Sequence, residues 1–146
     1  VIAILFALPV ALLAIDRLLK SYALHSLPSE GVFWIPGLLG LERFDNHGLA
    51  FGIPVGNLTA LVLSLVAGAA LFYGLKTRKR GPIHVFSALL IFLGAISNFY
   101  DRLALGFVVD YLRLGPISFV NIADGMIVAG LLMIMIHEDR PKPSDG

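Results

Sequence analysis

The stretch Val108–Gly125, VVDYLRLGPISFVNIADG, sets two aspartates into an otherwise oily run. Asp110 and Asp124 fall just before and inside what reads as a membrane-crossing helix. A carboxylate in hydrocarbon costs roughly 2.5–3.5 kcal/mol on insertion scales, so two of them here call for a reason. The fold turns on where this last helix starts and on what precedes it. The apolar pattern predicts a connection over 104–116 holding Asp110, then a span over about 117–136. That places Asp124 in the outer half of the span, roughly 10 Å below its end at 1.5 Å per residue.

Working outward, the rest of the chain also treats lipid as part of its solvent. Its 146 residues are 58% hydrophobic and 14% charged, with a mean hydropathy of +0.87. Soluble domains carry about 45–50% apolar and about 25% charged residues. A chain this short has too little interior to hide the excess, which points to a single integral membrane domain over 1–146. Four stretches have the roughly 20 mostly apolar residues that a span needs: about 1–23, 57–75, 82–103 and 117–136. Residues 1–15 resemble a signal-peptide core, but Asp16 and Lys20 follow in place of a small-residue cleavage site, so a retained span is expected. Lys76, Arg78, Lys79 and Arg80 crowd the connection between the second and third spans. The positive-inside rule makes that connection cytoplasmic, which puts both termini in the cytoplasm and faces the other two connections outward. The longer of these, 24–56, has short apolar runs broken by glycines in GLLGLERFDNHGLAFGI, a pattern of small strands on the membrane surface. The net charge of +1 says nothing about partners, the sequence carries no nucleic-acid patch, and the absence of cysteine excludes disulfides, thiol catalysis and thiolate metal sites.

This topology gathers the polar residues toward the outer face: Asp16 and Lys20 on span one, Asn98, Asp101 and Arg102 on span three, Asn121 and Asp124 on span four. Such residues inside spans usually face a bundle interior or a wet cavity. Asp16 and Lys20, like Asn98 and Arg102, are four apart, and Asn121 and Asp124 are three apart, so each pair shares a helix face. Two adjacent aspartates cannot both ionise cheaply; one keeps a proton, and such a pair can activate water and protonate a leaving group. Other schemes fit less well. His25, His47, His84 and His137 lack the HExxH spacing of a zinc protease, no GxGD sequence is present, and Lys20 and Ser21 point apart as helix neighbours. Asp110 also reads as an ordinary loop acid, Asp101 with Arg102 as a charge-balanced helix end, and Asn46 as a turn residue before Gly48. A proton relay through Asp16 and Asp124 in a small transporter, or a structural subunit without chemistry, are the rival functions. A transporter would place its ionisable site near the midplane.

DRLLK, NHGLAFG, SNFYDRLALGFVVDYL and FVNIADG, in that order over nearly the whole chain, resemble the lipoprotein signal peptidases (signal peptidase II), bacterial membrane aspartyl proteases. The resemblance implies an all-α integral membrane fold: a four-transmembrane-helix bundle with a small outer-face β-sheet cradle in the first outer loop. It implies Asp110 and Asp124 as the catalytic pair. Asn46 and Gly48 would line the substrate site, Asn98, Arg102 and Asn121 would support the pair and hold substrate backbone, and Asp16 and Lys20 would order the site. It implies lipidated prolipoprotein substrates cut just before the lipidated cysteine, membrane lipid as surroundings, globomycin-type inhibitors, no metal or other cofactor, and a monomer in the bacterial cytoplasmic (inner) membrane. Three features depart from the family's pattern: Ser97 where Gly is usual, Gly125 where Ser is common, and a short stretch from Asp110 to Asp124.

Overall fold

The computed structural model describes residues 2–48, 68 and 81–137. Apart from Gly68, the expected second span, the basic connection Lys76–Arg80, Phe51 and the end of the NHGLAFG motif lie outside the described residues. The described chain runs as helix α1 (Ile2–His25), strands β1 (Val32–Ile35) and β2 (Leu39–Asn46), helix α2 (Pro82–Ala104), strands β3 (Val108–Leu114) and β4 (Phe119–Val120), and helix α3 (Ile122–Ile136).

Helix α2 shows how local sequence sets its ends. Pro82 occupies the first turn, where its missing N–H costs nothing and its fixed φ suits the helix. At the other end Gly106 takes a φ of 84°, and the N–H groups of Leu105 and Gly106 turn back to the carbonyls of Asp101 and Arg102. This left-handed cap swings the chain directly into β3. Among the described residues α2 is the one helix both long and apolar enough to cross a bilayer. Large apolar side chains such as Leu18, Phe92, Leu103 and Met135 stand exposed on the three helices, as expected where hydrocarbon is the solvent.

Helices α2 and α3 meet through glycine. A Cβ at Gly94 would lie 2.6 Å from the carbonyl oxygen of Ala123, and one at Gly130 would lie 2.6 Å from that of Ser87. Only hydrogen at these positions lets the backbones approach so closely.

Two expectations are corrected here. The sheet is not confined to the first outer loop: the four antiparallel strands run β1-β2-β3-β4, so both connections contribute. Strand β3 pairs with β2 from Leu39↔Leu114 to Asn46↔Val108, with a bulge between Leu41 and Phe44. Residues 104–116 looked like a loop because Val108, Val109, Asp110 and Tyr111 are all buried. Burial on both faces erases the alternation that marks a strand. The last helix begins at Ile122 rather than at residue 117, because Phe119 and Val120 belong to the sheet. The short stretch between the two aspartates is therefore a hairpin. Arg113 fastens it, donating from Nε to the carbonyl of Gly115 at 3.1 Å, from Nη2 to that of Pro116 at 2.7 Å, and from Nη1 to Glu42 on β2 at 2.6 Å. Phe44 and Phe119 stack across the sheet at 4.7 Å. Ala23, Val109 and Tyr111 form the core where the end of α1 meets the sheet, with Leu19, Leu41 and Ile122 packed around them.

Candidate active site

The polar residues gather where the sheet meets the ends of the three helices. Asp110, on β3, is fully buried. Its Oδ2 accepts from Asn46 Nδ2 at 2.8 Å, and its Oδ1 accepts from Asn121 Nδ2 at 2.6 Å. Both amides are oriented by backbone: Asn46 Oδ1 accepts from the Gly48 N–H at 2.9 Å, and Asn121 Oδ1 accepts from the Asp124 N–H at 2.8 Å. Asp110 thus faces two donors that cannot flip without losing a second bond.

Asp124 sits in the first turn of α3, not well below its outer end as the longer span had implied. Asn121 is the N-cap and Asp124 completes a capping box, its Oδ2 accepting from the Asn121 N–H at 3.3 Å. Its Oδ1 accepts from Asn98 Nδ2 at 2.8 Å. Asn121 therefore touches both aspartates, one through its amide nitrogen and the other through its amide oxygen and backbone. Beside Asp124 opens a groove of about 680 Å³ lined by apolar side chains that include Leu12, Leu90, Leu112, Met126 and Met133.

Behind the pair lies a buried charge cluster. Lys20, wholly buried, donates to Asn98 Oδ1 at 2.7 Å and pairs with Asp101 at 2.8 Å and Asp16 at 3.3 Å. Fixing the Asn98 oxygen on Lys20 turns its nitrogen toward Asp124. Asp16 also accepts from Ser97 Oγ at 2.5 Å, so the serine that stands where glycine is usual is wired into the cluster. The charge of Asp101 acts on Arg102 as its position in sequence suggested, but its close contacts lie across the bundle. It accepts from Arg17 at 2.5 Å, from Lys20 and from the Val109 N–H at 3.2 Å. Arg102 instead donates to the Gly48 carbonyl at 3.0 Å. Neighbours on a helix diverge by about 100°, so each finds its partner across the bundle. All nine residues singled out in the sequence thus meet in one connected cluster. Arg17, Ser97, Asp101 and Tyr111 belong to it as well. Their four- and three-residue spacing from Lys20, Asp101 and Ser97 was the available signal for those on α1 and α2.

Asp110 holds its proton far more tightly than an ordinary aspartate, from 3.8 up to about 7. Burial is the main cause and the negative charge of Asp124 adds to it; the Asn46 and Asn121 bonds and the Lys20 charge oppose it. A carboxyl still protonated near neutrality beside a second carboxylate can give a proton while its partner takes one. Among the described residues no group of His, Cys, Asp and Glu has the arrangement of a metal site.

Exposed apolar helices around a buried polar cluster define an integral membrane protein whose chemical groups gather at the junction of helix and sheet. The profile of the family described as Signal peptidase (SPase) II matches residues 8–138, and the chain belongs to that family: it is a membrane peptidase. It is 37% identical over 138 residues to a lipoprotein signal peptidase of Streptococcus thermophilus, covering 89% of this chain and 90% of the relative. A lipoprotein signal peptidase of Streptococcus pneumoniae is 33% identical over 139 residues, 92% of this chain and 91% of the relative. In fold the chain is similar to a bacterial membrane enzyme solved in meso at 2.3 Å resolution, with a TM-score of 0.80, 24% identity, and coverage of 98% of this chain and 95% of that one.

Proposed function

We propose that this peptidase is an aspartic endopeptidase that removes signal peptides from diacylglyceryl-modified bacterial prolipoproteins, cutting just before the lipidated cysteine. The observation that carries the reading is the sharing of Asn121 by two aspartates from different elements, one of them buried and still protonated near neutrality. Asp124 takes a proton from a water as its oxygen attacks the scissile carbonyl. Asp110 gives its proton to the leaving amine as the C–N bond breaks, and the new carboxylic acid and amine depart. Asn46, Gly48, Asn98, Arg102 and Asn121 hold the carboxyls and substrate backbone in line, which supplies much of the rate. The apolar groove beside Asp124 suits a substrate that arrives with hydrocarbon attached. The names of the streptococcal relatives support the same substrate class.

The chain works as a monomer in the bacterial inner membrane. It has four spans, both termini in the cytoplasm and the pair toward the outer face, where water is available. No metal enters the reaction, and globomycin-type cyclic peptides compete with substrate. The test is a gel-shift assay in detergent with a diacylglyceryl-modified prolipoprotein. Wild type cleaves, and folded Asp110→Asn and Asp124→Asn both stall. Cleavage that survives either change removes the catalytic pair, and a wild-type protein inert toward confirmed lipidated substrate removes the substrate class.

A further inference from the structure

The first turn of a helix leaves about four backbone N–H groups without partners inside the helix. In α3 every one of them is met by a side chain, and two of those side chains come from elsewhere in the fold. The Asn121 N–H goes to Asp124 Oδ2, the Asp124 N–H to Asn121 Oδ1, the Ala123 N–H to Asp16 Oδ1 at 3.2 Å, and the Ile122 N–H to the Tyr111 hydroxyl at 3.0 Å. The Tyr111 hydroxyl donates in turn to Asp16 Oδ1 at 3.0 Å. One hydroxyl thus accepts from the helix that carries Asp124 and donates to a carboxylate on α1, while its own backbone follows Asp110 on β3.

We propose that Tyr111 is a positioning residue for proteolysis: its hydroxyl sets the height and tilt of the first turn of α3, and so places Asp124 against Asp110. The inference rests on the reading of those two aspartates as the catalytic pair. The ring is 3% exposed and packed with Ala23 and Val109, so it has no freedom to carry the hydroxyl elsewhere. Burial and the charge of Asp16 raise the phenol above its ordinary range, so it remains a donor at every working pH. Phenylalanine at this position would fill the same space and offer neither bond. The Ile122 N–H would then be left bare, and Asp16 would lose a donor. The first turn is then free to shift, and a displacement of an ångström at a reacting group can cost about a hundredfold in rate.

The experiment measures kcat and KM of wild type, Tyr111→Phe, Asp110→Asn and Asp124→Asn on lipidated prolipoprotein, with hydrogen exchange followed on a peptide spanning 121–125. For Tyr111→Phe the expected result is a kcat lower by about tenfold to a hundredfold, KM within about twofold of wild type, and faster exchange in that peptide. A kcat within about twofold of wild type overturns the proposal, as does a rise in KM with kcat retained, which makes Tyr111 a substrate contact. If the two aspartate variants stall while Tyr111→Phe turns over normally, the inference alone fails. If the aspartate variants still cleave, the catalytic reading fails and the inference goes with it.

Should Tyr111→Phe not accumulate folded, Ile122→Pro removes the same bond from the other side. Position 122 is the first of the helix, where proline is accepted, and Asn121 at φ −132° and ψ 173° already has the backbone that proline demands of its predecessor. A fall in kcat at constant KM in that variant supports the proposal, and an unchanged kcat overturns it.

Discussion

Replacing Asp110 by asparagine is expected to abolish cleavage and, at alkaline pH, to make the protein more stable. Two opposing effects set the outcome. The substituted amide keeps one oxygen for two donors, Asn46 Nδ2 and Asn121 Nδ2, and neither of those amides can flip without abandoning a backbone N–H. One buried donor is left bare, at about 1–3 kcal/mol at any pH. Against this stands the cost of ionising a buried carboxyl. Its folded value, about 7, lies above its ordinary value of 3.8, so between those limits the folded protein holds the proton more often than the unfolded chain. Stability therefore falls as pH rises through this window. At 1.36 kcal/mol per tenfold, the cost grows to about 4 kcal/mol above pH 7, and about 2–3 kcal/mol of it develops between pH 5 and pH 8. The asparagine variant does not incur that loss. About 1–2 kcal/mol of the ionisation cost is already present at pH 5, so the variant should lie close to wild type there and be the more stable protein at pH 8. The change in the difference between them, about 2–3 kcal/mol, does not depend on the lost hydrogen bond. At roughly 2–4 °C per kcal/mol it amounts to about 5–10 °C in Tm. Thermal unfolding of both proteins in one detergent at the two pH values measures it. A difference in Tm that is the same at pH 5 and pH 8 refutes the assignment of a raised proton affinity to Asp110.

Cleavage by wild type should fall as pH climbs past about 7, where Asp110 loses the proton the pair shares, and fall again in acid where both carboxyls are protonated; a pH–rate profile checks both limbs. Gly94→Ala should cost about 1–3 kcal/mol and depress activity, because the new methyl meets the Ala123 carbonyl next to Asp124. Gly125→Ser, with nothing within 4 Å of its Cβ, should stay within about 0.5 kcal/mol; Tm and turnover separate the two. Lys20→Met should destabilise by about 3–5 kcal/mol by leaving Asp16 and Asp101 short of their shared cation, read as lost Tm or yield. EDTA should leave the rate unchanged, and inhibition that added metal reverses would contradict a metal-free reaction.

Much of the site was legible because its residues repeat at helical spacing. Asp16 with Lys20 and Asn98 with Arg102 announce shared faces, and the structure brings those faces together. Asp101 balances part of the charge of its neighbour Arg102, but helix geometry turns its carboxylate to Arg17 and Lys20, partners its sequence position did not show. The start of α3 was written in the chain as well: Asn121 followed three residues later by Asp124 is a capping pattern, but the apolar run from Ile117 to Val120 ahead of it suggested that the helix had already begun. Strand β3 carried no such clue. A strand buried on both faces has no polar side to alternate with, and only its pairing with β2 reveals it. Tyr111 was invisible for a related reason. Its role depends on α1 and α3 approaching the same hydroxyl, which no spacing along one element can show.

The polar groups linked around the two aspartates draw on segments far apart along the chain. A nascent protein with α1, strands β1 to β3 and α2 in place has Asp110, but neither Asn121 nor Asp124 beside it. Helix α3 and its cap bring both, and they dock onto hydroxyl and carboxylate groups that segments earlier in the chain supply. If Asp110 and Asp124 are the catalytic pair proposed above, arming of the protease is in this way tied to the docking of α3. A chain interrupted before Asn121 would hold Asp110 alone, with no second carboxyl beside it to form a pair.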